Sequence, residues 1–404
     1  MSGRDLFCQP RRFGRGAALT LVFASVLVAG AATGSLPVSD RKSPAGATRS
    51  ATPAGGHEDI AEVAAEAMAA GQSPMEAAER AVSRSGDRWG AVYSEGEYEE
   101  FEEALDGAYT GVGLWARRER SGRIEVTKVR AGSPAAVAGI RAGDRLRSVD
   151  DQKVDGRPVT DVVALLRGDA TDAPAGTAVT LGLERGTHAW NLTLKRARLS
   201  TDSVTVRELA GGITVVRISS FTKGAGAAVR SAVRQAPAAT GVVLDLRGNS
   251  GGLVTEAVTA ASAFLDGGLV ATYDVDGDQR ALHAEQGGDT ARPLVALVDG
   301  GTMSAAELLT GALQDRGRAV VVGTRTFGKG SVQMPSRLPD GSVAELTVGH
   351  YRTPSGRAVD GRGITPDLEA ERGVLERAET VLSGLGESSG ESSGESSGEP
   401  SDGS

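Results

Sequence analysis

Between residues 211 and 324, four short Val-rich runs alternate with longer helical stretches, and no other feature of the chain restricts its fold as much. The runs are GGITVVRIS (211–219), GVVLDLRGN (241–249), PLVALVDG (293–300) and GRAVVVGT (317–324). The stretches 224–237, 253–265 and 303–317 between them read as helices. Alternation of this kind predicts a largely parallel sheet with helices packed over it. Ligands of such sheets gather beyond the carboxyl ends of the strands. Three Gly-rich corners fall there: RGNSGG (247–252), DGGTMSA (299–305) and TFGKGSVQ (326–333).

Upstream, residues 57–105 are helical in pattern. EDIAEVAAEAMAAG repeats Ile60, Val63, Ala64 and Met68 at helical spacing, SPMEAAERAVSRSG opens with Ser-Pro, and EYEEFEEALDGAY is a third, acidic helix ending at Gly107. They form a small cap or platform. Residues 106–198 turn β-rich, with GRIEVTKV, RLRSVDDQKV and AVTLGLERGTHAWNLTLK around the helical pieces SPAAVAG and RPVTDVVALLRG. AGSPAAVAGIRAGDRLRSVDDQKVDG (131–156) and Gly111-Val112-Gly113-Leu114 together resemble a PDZ domain, a β-sandwich or barrel-like module, with Arg145 where many members carry a smaller or apolar residue. The resemblance implies that the 111–114 loop binds a peptide carboxylate. Converging backbone N–H groups suit an anion, and an edge strand accepts an extended peptide; the plainer reading is a tight turn.

The ends of the chain differ from this middle. Arg11, Arg12 and Arg15 precede an uncharged stretch with the apolar core AALTLVFASVLVAGAA, closed by Ala29-Gly30-Ala31. Residues 1–34 therefore read as a secretory signal peptide, or as a membrane anchor through residues 16–38 if left uncut. A Ser/Pro/Ala/Gly linker follows at 35–56. Residues 373–404 read as the end of a helix and a Gly/Glu/Ser tail with nothing apolar to bury, which should stay disordered. The expected location is outside the cytoplasm. The single cysteine, Cys8, gives neither a disulfide framework nor a thiol metal site. A formal net charge of −8 argues against a nucleic-acid partner.

Ser304 admits two roles. With Glu307 it spells Ser-x-x-Glu before an apolar run, a helix capping box. Standing first on a helix after a strand and a glycine pair, it is also where a hydrolase places a nucleophile. Such a hydroxyl needs a base, and Lys329 lies 25 residues downstream in the third corner. Lysine serves as a base when burial penalises its ammonium form, whereas arginine stays protonated. Only six of the 44 basic residues are lysine, at 42, 128, 153, 195, 223 and 329. The alternative for Lys329 is an exposed loop lysine.

Two rivals remain at this level. GTRTFGKG (323–330) fulfils Gly-x-x-x-x-Gly-Lys of a phosphate-binding loop, but Gly330 stands where Ser or Thr should hold magnesium, and two prolines follow where a helix is needed. His350 could belong to a Ser-His-Asp triad. The other histidines, 57, 188 and 283, show no metal-binding spacing, and His283 and His350 read as surface or packing residues. Asp245 and Arg247 read as a structural ion pair. The glycines of RGNSGG leave backbone N–H groups at a strand tip, as an oxyanion hole requires.

Together the corners resemble a family. From about residue 85 onward the chain is similar to the carboxyl-terminal processing proteases (tail-specific proteases), PDZ-containing serine peptidases with a Ser–Lys dyad. The motifs are LDLRGNSGG (244–252), GTMSAAE (301–307), DRGRAVVVGTRTFGKGSVQ (315–333) and LTVGHYRTPSGRAVDGRGITPD (346–367). Ser250 stands where many members carry proline, and Thr302-Met303 replaces a smaller pair before the nucleophile. The resemblance implies an α/β peptidase core at 199–372 with Ser304 as nucleophile and Lys329 as general base. Gln333, one helical or loop turn beyond, would orient the amine or the peptide. The oxyanion donors would be the N–H groups of Gly251 and Ala305. No metal or other cofactor is implied. The expected activity is an exported endopeptidase whose PDZ domain takes polypeptide C-terminal tails and whose dyad cuts through an acyl-enzyme. The competing reading is a catalytically silent PDZ module that only binds peptides.

Overall fold

The computed structural model describes residues 57–391 apart from 120, 168–172, 238–239 and 276–277. The expected signal segment, Cys8, the expected linker at 35–56 and the end of the tail lie outside the described residues. Two compact units emerge: Ala108–Thr201, and the residues up to Gly107 together with those from Asp202 onward.

The first elements belong to the larger unit. Helix α1 (His57–Ala69) packs on α2 (Pro74–Ser85), which begins with Pro74 behind the N-cap Ser73 and stops at left-handed Gly86. Strand β1 (Ala91–Tyr93) follows, then α3 (Glu95–Leu105), whose Ser94–Glu97 capping box is complete. The stretch expected to be helical thus contains a strand. Three residues between helices carry too short a pattern to be read, and β1 exists only through pairing with a strand 250 residues downstream.

The inserted unit holds β2 (Ala108–Gly111), β3 (Leu114–Arg118), β4 (Ile124–Val129), α4 (Pro134–Val137), β5 (Arg145–Val149), β6 (Gln152–Lys153), α5 (Val159–Arg167), β7 (Ala178–Arg185), β8 (His188–Lys195) and β9 (Ala197–Ser200). Strands run β3-β4-β5-β7-β8, with β6 on β5, around Ile124, Val126, Leu146, Val162, Leu181 and Leu183. The chain enters along β2 and leaves along β9, paired antiparallel from Ala108–Ser200 to Gly111–Ala197. Gly113 has φ +81°, and a Cβ there would lie 2.3 Å from the Ser133 Cβ, so the 111–114 turn demands glycine. The Val112 carbonyl accepts the Ala135 N–H at 3.0 Å, which fixes the turn on α4. Arg145 answers its unusual position by pairing with Asp155 at 2.5 Å and Glu184 at 3.2 Å.

The remaining elements complete the larger unit: β10 (Val204–Glu208), β11 (Thr214–Ile218), α6 (Ala225–Gln235), β12 (Val242–Asp245), α7 (Val254–Ala261), β13 (Leu269–Val275), β14 (Asp278–His283), β15 (Leu294–Val298), α8 (Ala305–Asp315), β16 (Val320–Gly323), β17 (Ser331–Arg337), β18 (Val343–Arg352), β19 (Leu368–Glu369) and α9 (Val374–Glu391). The central sheet runs β10-β11-β12-β15-β16-β19, parallel from β11 to β19 with antiparallel β10 at one edge. Both faces are apolar because both are covered. Val216, Leu244, Ala296 and Val321 face the cluster built with α6, α7 and α8. Val215, Val243, Val295 and Val322 face Ala378 and Leu382 of α9. Helix α9 continues to Glu391, into the first residues of the tail expected to lack structure.

A second sheet, β1-β18-β13-β14 with β17 beside β18, carries the cap. Ile60, Ala64, Ala78 and Val82 of α1 and α2 pack on Leu338, Ala344 and Leu346.

Candidate active site

All three Gly-rich corners leave the carboxyl ends of parallel strands: 246–253 after β12, 299–304 after β15 and 324–330 after β16. Parallel pairing therefore gathers at one edge residues as distant in sequence as Gly251 and Lys329.

Ser304 is fully buried at the N-cap of α8, with φ +58° and ψ −118°. A non-glycine residue in that conformation is strained by about 1–3 kcal/mol and persists only where neighbours fix it. Its N–H donates to Glu307 Oε2 at 2.9 Å. Its carbonyl accepts the N–H groups of Glu307 and Leu308 at 2.8 and 3.0 Å, and the Tyr351 hydroxyl lies 2.9 Å from it. The carboxylate arm of the capping box is thus present, and the capping role coexists with a strained serine.

Lys329 is 1% exposed, which removes the surface-lysine alternative. Its N–H donates to the same Glu307 Oε2, also at 2.9 Å, so the Ser304 and Lys329 nitrogens are held within twice that distance. The Tyr351 hydroxyl lies 3.2 Å from the Lys329 carbonyl as well. Glu307 Oε1 accepts from the Thr326 hydroxyl at 2.5 Å and the Gly328 N–H at 2.7 Å. One buried carboxylate therefore closes the serine corner onto the lysine corner. Burial pushes the Glu307 carboxyl up, and these four donors pull it back.

The lysine amine donates to Gln333 Oε1 at 2.8 Å and lies 5.1 Å from the centre of the Trp89 ring. The Gln333 amide donates in turn to the Trp89 carbonyl, so the cap reaches the amine through this glutamine. Gln333 sits on β17, just past a bulge at Val332/Gln333, rather than on a helical or loop turn. The bulge re-aims the side chain while the strand continues. Burial lowers the Lys329 amine to about 8, against smaller opposing effects of Glu345 and then Asp87.

The same hydrogen bonds remove the phosphate-loop reading. The N–H groups of Gly328 and Lys329 are spent on Glu307, that of Gly330 donates to Asp360 at 3.2 Å, and a strand follows instead of a helix. His350 keeps 55% of its side chain exposed, 3.8 Å from Asp360. Asp245 pairs with Arg247 at 2.8 Å and with Arg217 at 3.0 Å, as a structural ion pair should.

The third corner lies against the serine. Gly251 has φ +103°, and a Cβ there would come 3.0 Å from the Ser304 Cβ and 3.4 Å from the Ala305 nitrogen. Its N–H donates to Asn249 Oδ1 at 2.9 Å, while the Asn249 amide donates to the Ile218 carbonyl at 3.1 Å and its carbonyl accepts the Met303 N–H at 2.8 Å. The structure thus brings Ser304, Ala305, Lys329, Gln333 and Gly251 together, and Gly111–Leu114 lie in the other unit. Sequence reasoning passed over Trp89, Asn249, Tyr351, Glu345 and the second half of the Glu307 role. Glu307 carried its capping spacing as a signal, and Asn249 and Tyr351 lay inside the motifs LDLRGNSGG and LTVGHYRTPSGRAVDGRGITPD without a role assigned to them there.

Known proteins resemble this chain over most of its length. Residues 212–370 match peptidase family S41, and residues 125–185 match a PDZ domain. The chain is 33% identical over 276 residues to the carboxy-terminal processing protease CtpA of Bacillus subtilis, covering 67% of this chain and 58% of that protein. It is 35% identical over 297 residues to the carboxy-terminal-processing protease of Bartonella bacilliformis, covering 71% and 67%. This chain belongs to peptidase family S41, among the carboxy-terminal processing proteases. It spans only 58% and 67% of the length of those two relatives. A Bacteroides fragilis protein assigned to the S41 proteases shares the fold, at TM-score 0.51 and 17% identity over 78% of this chain and 91% of that one.

Proposed function

We propose that the chain is an exported serine endopeptidase that cuts polypeptides near their C-terminal tails. Lys329, as the neutral amine, takes the Ser304 hydroxyl proton while Oγ attacks the peptide carbonyl carbon. The tetrahedral oxyanion is met by the Ala305 N–H and, once Asn249 yields its bond, the Gly251 N–H. Collapse expels the amine product, which carries away the proton from Lys329. Water then attacks the acyl carbon and gives a proton to the same amine, which passes it to the departing Ser304 Oγ as the carboxyl product leaves. Gln333 holds the amine toward this work, and the 111–114 loop captures the chain end. The reading rests above all on one observation: a lysine 1% exposed, its amine held by Gln333, tied through one carboxylate oxygen to a strained serine at a helix start.

The decisive assay uses protein lacking residues 1–34 and an unfolded substrate ending in small apolar residues, with EDTA and without nucleotide. Wild type cleaves, and Ser304→Ala and Lys329→Arg lose at least about a thousandfold. Because the unprotonated amine is the active form, kcat/KM rises with pH through about 8 and levels off above it. A rate flat from mildly acidic to alkaline pH excludes a lysine base. Tail binding without cleavage by any variant points to the silent binding module.

A further inference from the structure

Glu345 is fully buried on β18, and among the described residues neither of its carboxyl oxygens has a hydrogen-bond partner. Burying an ionised carboxylate without donors is costly, and proteins keep such a group where it is neutral or faces a counter-charge. The strand register gives its surroundings. Glu345 lies opposite Pro335 of β17 and Ala91 of β1, and Gln333 lies opposite Thr347. Directly paired residues share a face, so Glu345 and Gln333 are diagonal neighbours on one face of the hairpin. The neighbouring residues Ala344 and Leu346 face the cap helices. Glu345 therefore stands beside the glutamine that grips the Lys329 amine.

The charged and titratable groups around this carboxyl come from five segments. Lys329, from the loop before β17, is the charge that acts on Glu345. Tyr93 of β1 and Tyr98 of α3 face the carboxyl, both hydroxyls raised first by burial and then by the Glu345 charge. Glu97 acts further on Tyr93, while Glu102 and Arg337 act on Tyr98. Asp87, in the turn before β1, acts on Lys329 from the cap side while accepting from the Thr347 N–H and hydroxyl.

We infer that Glu345 is a positioning residue acting through Lys329: its carboxylate holds the proton on the lysine amine, and its neutral acid form releases it. The inference rests on reading Lys329 as the general base. Burial pushes the Glu345 carboxyl up to about 7, against the lowering effect of Lys329, while the carboxylate raises the amine. The two groups titrate as a pair, and the carboxylate charge favours the ammonium form and so delays the base. The pH at which the enzyme switches on is then set by this pair, not by burial of the lysine alone.

The test needs a readout besides turnover. The chain labelled with 13C at the lysine ε carbons carries only six lysines, so the Lys329 signal is identified by its loss in Lys329→Arg. In a Ser304→Ala background, Glu345→Gln lowers the Lys329 pKa by about one unit, whereas Glu345→Asp leaves it near the parent value. In active enzyme, Glu345→Gln moves the rising limb of kcat/KM to lower pH by the same amount. It gains several-fold below pH 8 and nothing on the alkaline plateau. Glu345→Leu gives the same shift if the amide does not fold. A Lys329 titration unchanged in both folded variants overturns the inference. A shifted titration with no cleavage by any variant instead rejects the proposed peptidase while leaving the Glu345–Lys329 pairing intact.

Discussion

Two glutamates, both wholly buried, flank the same lysine and have opposite surroundings. Glu307 accepts four hydrogen bonds, two on each oxygen, from Ser304, Lys329, Thr326 and Gly328. Glu345 accepts none among the described residues. The first is a strut, whose charge is offset by N–H and O–H donors and whose bonds set the distance between two loops. The second joins nothing, so the consequence of its burial is electrostatic and falls on the nearest cation. Burial alone therefore does not define a buried acid's role. The donors around it do.

The contrast is broken most severely at Glu307. Glu307→Gln preserves shape but turns one acceptor oxygen into an NH2 group facing two donors. Buried charge-assisted bonds lost this way cost about 3–5 kcal/mol. The variant should unfold at clearly lower denaturant, and kcat/KM should fall by about a hundredfold or more, because the serine and lysine corners are no longer tied. A stable variant with near-normal activity would make Glu307 a helix cap and nothing else.

Glu345 should behave in the reverse sense. Its folded pKa lies above that of a free carboxyl, so the folded state holds a proton that the unfolded chain has given up. Stability contributed at acid pH is then lost as the pH rises through about 7. Each pKa unit carries about 1.4 kcal/mol, so the loss is at most about 3–4 kcal/mol. Glu345→Leu removes that slope. Urea midpoints of variant and wild type should separate in the variant's favour between about pH 5 and 8, and a constant difference across that range refutes the assignment.

The two acids also differ in how far sequence could reveal them. Ser304, Lys329 and Gln333 announce themselves because their motifs are short and contiguous, and the alternation at 211–324 gives the sheet that aligns them. Glu307 shows half its role, since the capping arm spans three residues while the arm to Thr326, Gly328 and Lys329 depends on where β16 delivers its loop. Glu345 gives no signal. VAEL in β18 is buried at four successive positions because neighbouring elements cover both faces there, and a half-buried strand's alternation disappears. Trp89 is equally silent, since its carbonyl meets Gln333 across 244 residues of chain. The strain at Ser304 is likewise a product of the bonds around it and not of residue type.

The smallest effect tests whether the two oxygens of Glu307 do separable work. Oε1 holds Thr326 and Gly328 of the loop, and Oε2 holds the backbones of Ser304 and Lys329. Thr326→Val removes only the hydroxyl, which donates to Oε1 and accepts the Ile364 N–H at 2.6 Å. Oε1 keeps the Gly328 bond, while the Ile364 N–H loses its side-chain acceptor, so the cost should be about 1–2 kcal/mol of stability. Because both Oε2 bonds survive, kcat/KM should stay within about threefold of wild type and the pH at half-maximal rate should not move. If the rate falls as far as in Glu307→Gln, the carboxylate acts as one unit, and the loop and the Ser304–Lys329 tie cannot be separated through it.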